Sequence, residues 1–272
     1  MFRKKNNLTI NICAMIIVAL WVFPLLWIII SSFKPSETFG RNIIGWFFKP
    51  TLEHYIFALN EYSYMRYLIN SLIVSVGATA LSVTVGTLAG YSLARYNTGG
   101  QGLSMWILAS RMMPPAASLI PFFMLFNIFG ILDTKIALIL SYLVFNLSFT
   151  VWMARSFFKD IPVELEEAAL IDGCSYFQAF LKIITPLART GLMATTIFSL
   201  IFSWNEYLFA TVLTSSDSAR TLPASVGKFV THYQIIWGPL FAQSTLIVIP
   251  VLIAAILLQP YLIRGVTLGA LK

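Results

Sequence analysis

Charged residues are scarce in this chain of 272 residues. Asp, Glu, Lys and Arg together make up 11% of the sequence, whereas hydrophobic residues make up 58% and the mean hydropathy is +0.81. A water-soluble domain carries about 25% charged residues. The shortage of charge therefore excludes an ordinary soluble domain and predicts a protein that lies in a lipid bilayer.

Cysteine is scarce and the common catalytic motifs are missing. Cys13 lies in the first apolar run and Cys174 in a polar segment, so neither a disulfide framework nor a metal cluster is expected. The sequence contains no G-x-x-x-x-G-K-[ST], H-E-x-x-H or G-x-S-x-G, and both histidines, His54 and His232, fall in polar segments. A membrane enzyme is therefore disfavoured, because nucleophile, base and orienting group are missing.

The net charge of +7 does not indicate a nucleic-acid partner. The lysines and arginines lie between apolar runs and form no basic stripe or patch interleaved with aromatic residues. We interpret these charges as topological signals that orient membrane spans.

Long apolar runs are what the sequence has in abundance. Each is long enough to cross a hydrocarbon core of about 30 Å as a helix. They predict an all-α integral membrane protein with six transmembrane helices, near residues 10–33, 68–94, 103–130, 136–156, 190–213 and 239–263. The whole chain, 1–272, is predicted to form a single transmembrane domain.

The amino-terminal segment orients these spans. Arg3, Lys4 and Lys5 precede an apolar run that continues to Ile30 without a small-x-small cleavage site, so we predict an uncleaved first span. An even number of spans puts both termini on one side, and the basic tail places that side in the cytoplasm. The basic residues as a whole show a modest bias, with ten of the eighteen on the predicted inside and seven outside.

Two predicted spans carry unusual helix patterns. Ala78, Ser82, Gly86 and Gly90 repeat every four residues, which predicts a close helix contact, either within the chain or with a second subunit. In the third span, prolines should bend or break the helix, and broken helices at membrane depth line cavities. These prolines are Pro114, Pro115 and Pro121.

Two charged residues fall well inside predicted spans, and each has two interpretations. Arg111 either faces a translocation path or lies near a span end and snorkels to the headgroups. Glu206 is either a pathway or gate residue or a buried structural acid.

The segment 157–189, predicted to be cytoplasmic, reads as helix, turn and helix. Pro162 suits a first helical position and Gly173 can end that helix in a left-handed conformation. Ser175 and Gln178 form a capping box that opens a second helix, which Pro186 is expected to end. Such an acid-rich projecting segment either provides a binding surface for a partner protein or merely covers the end of the helix bundle.

This segment resembles the inner-membrane permeases of binding-protein-dependent ATP-binding-cassette importers. Their motif reads E-A-A, three residues, G, nine residues, I-x-L-P, and the chain departs from it only at Thr185, where Leu is expected. The resemblance implies that the segment is a coupling loop that docks onto an ATPase subunit. The residues to which it assigns this contact are Glu167, Ala168, Ala169, Asp172, Gly173, Ile183 and Pro186.

The resemblance also implies the assembly. Two ATP-binding-cassette ATPases would carry the ATP and Mg²⁺, so this chain needs no cofactor of its own. A second, homologous permease and an extracytoplasmic solute-binding protein would complete the transporter in the inner membrane.

Further segments, including Trp204-Asn205-Glu206 and Thr221-Leu222-Pro223, resemble the carbohydrate branch of this family, the maltose-type second permease. That branch implies a sugar, oligosaccharide or sugar alcohol as substrate. Candidate substrate contacts are Asn127, Tyr142, Asn146, Asn205, Glu206 and Tyr207, each of which could instead serve packing. The alternative is a secondary carrier that uses Glu206 for ion coupling.

Overall fold

The structure is a computed structural model and describes residues 8–41, 45–60 and 63–267. Within these ranges the regular structure is helical, apart from one antiparallel bridge between Val230 and Ile235. The basic tail Arg3–Lys5 and the terminal Lys272 lie outside the described residues.

Thirteen α-helices follow one another along the described part of the chain. They are α1 (Leu8–Ser31), α2 (Ser36–Arg41), α3 (Glu53–Asn60), α4 (Tyr64–Arg95), α5 (Gly100–Met112), α6 (Pro115–Ile128), α7 (Lys135–Lys159), α8 (Glu164–Ile171), α9 (Tyr176–Ala179), α10 (Thr185–Trp204), α11 (Leu208–Leu213), α12 (Leu222–Ser225) and α13 (Trp237–Thr267). A π-helical segment, Phe180–Ile184, joins α9 to α10, and a 3₁₀ turn, Val226–Phe229, follows α12.

Five of the described helical stretches are long and apolar enough to cross a membrane. They are Ile10–Ser31, Tyr64–Arg95, Lys135–Lys159, Tyr176–Trp204 and Trp237–Ile256. Helices α5 and α6 pass the same test only as a pair, bent by 94°. The predicted all-helical membrane fold is thus confirmed, with six spans if the bent pair is counted as one.

The break in the predicted third span falls at its prolines. Met113 and Pro114 adopt extended backbone, with ψ values of 129° and 125°, and α6 begins at Pro115. A proline lacks the N–H that would continue the helix and disfavours helical backbone in the residue before it. The expected bent or broken helix is confirmed.

The predicted fifth span, 190–213, was wrong in its bounds. One helical stretch runs from Tyr176 to Trp204, breaks at residues 205–207 and resumes as α11. Pro186 does not end the second loop helix, because the π-helical segment before it pairs the Thr185 N–H with the Phe180 carbonyl. Pro186 then stands in the first turn of α10, where a missing N–H costs little.

The chain divides into two compact units, and its prediction as a single domain stays a prediction. One unit comprises Met1–Tyr64 and Val226–Pro250. In this unit the Ser36 N–H and hydroxyl donate to the Glu53 carboxylate at 2.9 and 3.0 Å, which joins the first residues of α2 and α3. The Ser36 N–H in particular holds the pKa of Glu53 below its ordinary value.

The other unit comprises Met65–Ser225 and Val251–Lys272 and has two buried apolar clusters. The first includes Val74, Ala78, Phe126, Leu138, Tyr142, Phe209 and Leu213. The second, beside the helix–turn–helix segment, consists of Tyr91, Ala154, Phe158, Phe180, Ile184, Ala188 and Leu192.

Helices α4 and α7 approach closely at two glycines. A Cβ atom on Gly86 would lie 2.7 Å from Thr150 Cγ2, and one on Gly90 would lie 2.7 Å from Ala154 Cβ and 2.9 Å from the Arg155 nitrogen. The small-residue stripe therefore makes its close contact within the chain, as one of its two interpretations predicted.

Candidate functional site

The helix–turn–helix segment forms as the sequence predicts at its centre. Helix α8 has three acids in its first turn, next to the positive end of the helix dipole. Gly173 follows the helix with φ +88°, the left-handed conformation that favours glycine. Next, the Ser175 hydroxyl accepts from the Gln178 N–H at 3.3 Å and the Gln178 side chain accepts from the Ser175 N–H at 3.0 Å, which confirms the capping box.

The seven residues predicted for ATPase coupling do not share one surface. Four are exposed on α8 and the following turn, namely Glu167, Ala168, Asp172 and Gly173, and we call these four the α8 outer face. Ala169 is buried, and Ile183 packs against the second apolar cluster. Pro186 is exposed in the first turn of α10.

Sequence reasoning missed the role of Glu166. The sequence does not single out this residue among the acids at the start of α8, yet Glu166 is buried with Tyr91 and Arg95. Helix spacing places Glu166 and Ala169, three residues apart, on the same face of α8. The structure shows that this face is buried, so the acid on it needs a buried partner, which the sequence alone does not identify.

A cavity of about 360 Å³ lies where α5–α6 and α10–α11 are broken. Its lining residues are Arg111, Pro115, Tyr142, Phe145, Asn146, Phe202, Ser203, Glu206 and Phe209. Three phenylalanine rings and several hydrogen-bonding groups thus face one space, a composition typical of small-molecule sites.

Glu206 lies in the break between α10 and α11 and lines the cavity. Its carboxylate accepts from the Phe209 N–H at 3.0 Å and the Ala210 N–H at 3.2 Å, so it caps the first turn of α11. Glu206 is therefore a structural cap that also lines the cavity, and its role as a pathway or gate residue stays a prediction.

The buried Tyr142 lies beside Glu206 in the same wall. Its hydroxyl has no direct hydrogen-bond partner at normal geometry among the described residues, although Glu206 is near enough to interact with it electrostatically. Asn146 donates to the Ser203 hydroxyl at 2.6 Å, which orients both groups at the cavity edge.

Arg111 lines the cavity as well. Its Nη1 donates to the Phe145 carbonyl at 3.1 Å, and its guanidinium carbon lies 5.0 Å from the Phe202 ring centroid and 5.5 Å from that of Phe149. Cation–π contact and one carbonyl compensate part of the cost of placing this charge among apolar helices. Arg111 therefore faces this cavity, and its place on a translocation path stays a prediction.

The other three predicted substrate contacts lie outside this lining. Asn127, Asn205 and Tyr207 are exposed, and the Asn205 amide donates to the Ile201 carbonyl at 2.9 Å. Of the six predicted residues, the structure brings together Tyr142, Asn146 and Glu206. It adds Ser203, Arg111 and the phenylalanines, which the sequence did not single out as substrate contacts.

Asp133 fixes the connection before α7 to the segment after α11. Its carboxylate accepts from the N–H groups of Ser215 and Ser216 at 2.9 and 3.1 Å and from the Ser215 hydroxyl at 3.2 Å. Partial burial opposes ionisation, but these hydrogen bonds outweigh it and hold the pKa of Asp133 below its ordinary value. Among the described residues, no group of three His, Cys, Asp or Glu side chains could hold a metal ion.

Comparison with known proteins agrees with this architecture. Residues 82–268 match the family model of the binding-protein-dependent transport system inner membrane component. The trehalose/maltose transport system permease MalG of Thermococcus litoralis is 34% identical over an alignment of 274 residues, which covers 99% of this chain and 97% of MalG. The diacetylchitobiose uptake system permease DasC of Streptomyces coelicolor is 33% identical over 264 residues, 96% of each chain.

Two solved structures share the fold. A chain of a bacterial ABC transporter that imports the acidic polysaccharide alginate superposes with a TM-score of 0.75 at 20% identity, covering 96% of this chain and 99% of that chain. A chain of the MetNI methionine transporter superposes with a TM-score of 0.62 at 18% identity, covering 74% and 95%. The chain described here belongs to the family of inner membrane components of binding-protein-dependent transport systems, the membrane permease subunits of ABC transporters.

Proposed function

We propose that the chain forms half of the translocation pathway of an ATP-driven importer for a sugar, oligosaccharide or sugar alcohol. The observation that carries this proposal is the cavity at the two helix breaks, which combines aromatic rings with hydroxyl, amide and carboxylate groups. Sugars bind through contact of their C–H faces with aromatic rings and hydrogen bonds to their hydroxyls. Several relatives are named for saccharides, including trehalose, maltose and diacetylchitobiose.

Within the cavity, we assign different tasks to the side chains. Phe145, Phe202 and Phe209 would provide the apolar faces, and Asn146 with Ser203 would accept and donate hydrogen bonds to sugar hydroxyls. The Tyr142 hydroxyl, which lies beside Glu206 in the cavity wall, would be a further donor to substrate. Asn127, Asn205 and Tyr207 are exposed and would meet substrate only along an entry or exit route.

The energy would come from partner subunits. Two ATP-binding-cassette ATPases would hold ATP and Mg²⁺, and one of them would contact the α8 outer face. A second, homologous permease would complete the pathway, and an extracytoplasmic solute-binding protein would deliver substrate. Closure of the ATPases would then rock the spans between inward-facing and outward-facing states.

Both termini would lie in the cytoplasm, with the helix–turn–helix segment on the same side. Support for the docking role comes from the exposure of Glu167, Asp172 and Gly173 together with the apolar Ile171, which is 86% exposed. An acidic rim around an exposed apolar side chain is typical of a protein-binding surface.

The test is co-purification from membranes in mild detergent. We expect an ATPase and a second permease to accompany the wild-type chain, and the double variant Glu167→Lys/Gly173→Asp to lose the ATPase. Glu37→Lys reverses an exposed carboxylate outside this segment and should keep it. A wild-type chain that purifies alone or as a homo-oligomer would contradict the proposal and favour a secondary carrier centred on Glu206.

A further inference from the structure

A buried ion pair joins the end of α4 to the start of α8. Arg95 Nε donates to Glu166 Oε2 at 2.9 Å, and both side chains are 6% exposed. The same guanidinium donates through its Nη2 to the Ile161 carbonyl at 3.0 Å. Tyr91, one turn earlier in α4, donates its hydroxyl to Glu166 Oε1. Both carboxylate oxygens of Glu166 are therefore held by α4.

The local chemistry of both helices suits this pair. Arg95 is the last residue of α4, where a cation is stabilised by the helix dipole, and Glu166 lies in the first turn of α8, where an anion is stabilised. Around them, the Tyr91 ring packs against Phe158 and Phe180, with ring centroids 5.6 and 4.7 Å away. These rings exclude water, so the pair is screened little by salt.

The residues of α8 thus divide between two tasks. Glu166 and Ala169 face inward, whereas the neighbouring Glu167 and Ala168 are exposed on the α8 outer face. One side of this short helix is therefore available to a partner, and the other is fixed to α4.

Helix α4 is itself held tightly to α7. At Gly90, just before Tyr91, there is no room for a methyl group between α4 and the Ala154 side chain. Packing this close transmits displacement because interiors are nearly incompressible. A movement of α8 that reaches Arg95 would consequently reach both α4 and α7.

We propose that Tyr91, Arg95 and Glu166 are positioning residues that convert a displacement of α8 into a displacement of α4. This inference rests on the proposed function, because the displacement would come from the ATPase on the α8 outer face. The three residues do not touch the ATPase in this proposal. They keep α8 from sliding over the bundle when the ATPase moves it.

A purely structural role would have a different signature. Loss of one partner leaves the other charge buried and uncompensated, which lowers stability whatever the role of the pair. For a structural role, complexes that survive purification should respond to nucleotide as wild type does. For a positioning role, the surviving complexes should bind and hydrolyse ATP without moving their spans.

The experiment uses the whole transporter, purified through this chain in a Cys13→Ser/Cys174→Ser background. Ser203→Cys places a reporter thiol in the cavity lining, and its reaction rate with a water-soluble maleimide is measured with and without Mg-ATP plus vanadate. The variants are Tyr91→Phe and the charge-removing pair Arg95→Gln/Glu166→Gln, which keeps the side-chain sizes similar. Glu37→Gln removes an exposed carboxylate outside this cluster and is the control.

We expect nucleotide to change the labelling rate at least fivefold in the parent and in Glu37→Gln. In Arg95→Gln/Glu166→Gln the change should fall below twofold while the ATPase still co-purifies and hydrolyses ATP. Tyr91→Phe, which loses one hydrogen bond of the cluster, should give an intermediate change.

Two other outcomes would count against the inference and are distinguishable. A full nucleotide response in the Arg95→Gln/Glu166→Gln complexes, even with lower yield or lower Tm, would show a structural role only. A parent chain that carries no ATPase would overturn the proposed function, and the inference with it.

Discussion

Glu206 shows at the scale of one residue how a costly charge is accommodated in a predicted span. A carboxylate at the centre of a transmembrane helix costs about 2.5–3.5 kcal/mol on insertion scales. Here the helix is interrupted at Glu206, and two backbone N–H groups of α11 donate to its carboxylate. The break thus supplies the hydrogen bonds that offset the cost and turns the carboxylate toward the cavity.

Glu206→Ala should lower the stability of the purified chain by about 1 kcal/mol, because two N–H groups of α11 lose their acceptor. Glu206→Gln keeps one acceptor oxygen and should lose less. Thermal unfolding in detergent, followed by tryptophan fluorescence, measures the difference. The exposed Glu37→Ala serves as the control. Equal Tm values for Glu206→Ala and wild type would show that the cap contributes nothing.

Residue-scale roles were only partly readable from the sequence. Arg111 and Glu206 stood out because charges are rare in apolar runs. The two interpretations of each residue could not be distinguished without knowing which side chains surround it. Glu166 was not recognised because its partner Arg95 is 71 residues away in the chain. Pairs so distant in sequence are defined only by the fold.

At the scale of helices, the contact between α4 and α7 is set by side-chain size. Gly86 and Gly90 let the two backbones approach to a distance that leaves no room for a Cβ atom. Packing of this kind stabilises helix pairs in a membrane, where lipid removes most of the hydrophobic driving force between helices.

Gly90→Ala should destabilise the chain by about 1–3 kcal/mol because the new methyl group forces α4 away from α7. Gly102→Ala is the matched control, since its Cβ would meet nothing within 4 Å in helix α5. That variant should be neutral or slightly more stable, because alanine favours helix more than glycine does. Thermal unfolding in detergent compares the two, and equal Tm values would contradict the close-packing argument.

Two helix boundaries show where sequence rules for helix ends fail and where they hold. Pro186 was expected to end a helix, but the preceding π-helical segment accommodates the missing N–H and the helix continues. In contrast, Gly173 and the Ser175–Gln178 box behave as predicted, because each acts through hydrogen bonds or backbone preferences within a few residues.

For the whole molecule, the proposed topology places the helix–turn–helix segment and the bridge between Val230 and Ile235 on opposite sides of the membrane. Lys182 is exposed in the first and Tyr233, 98% exposed, lies in the second. The side of the membrane on which each segment lies is predicted only from the distribution of Lys and Arg between the spans.

Thiol labelling tests this topology in a Cys13→Ser/Cys174→Ser background. With a membrane-impermeant maleimide, we expect Lys182→Cys to react only in inverted vesicles and Tyr233→Cys only in right-side-out vesicles. Solubilised samples, in which both thiols should react, control for reactivity. Labelling of both variants from the same side would contradict the proposed orientation.

The sequence by itself determined that this protein lies in a lipid bilayer and where most of its helices form. Apolar runs of span length and the prolines of α5–α6 act locally, because backbone hydrogen bonds must be satisfied within each segment in a bilayer. The E-A-A and glycine pattern around Glu167 was likewise contiguous, so the family could be read from the chain alone.

Only the tertiary structure decided which side chains meet. It brought Tyr142, Asn146 and Glu206 to one cavity, left Asn127 outside it, and paired Glu166 with Arg95. Such contacts join residues dozens of positions apart, and helix periodicity specifies which face a residue occupies but not which helix covers that face. Packing between helices supplies that missing information.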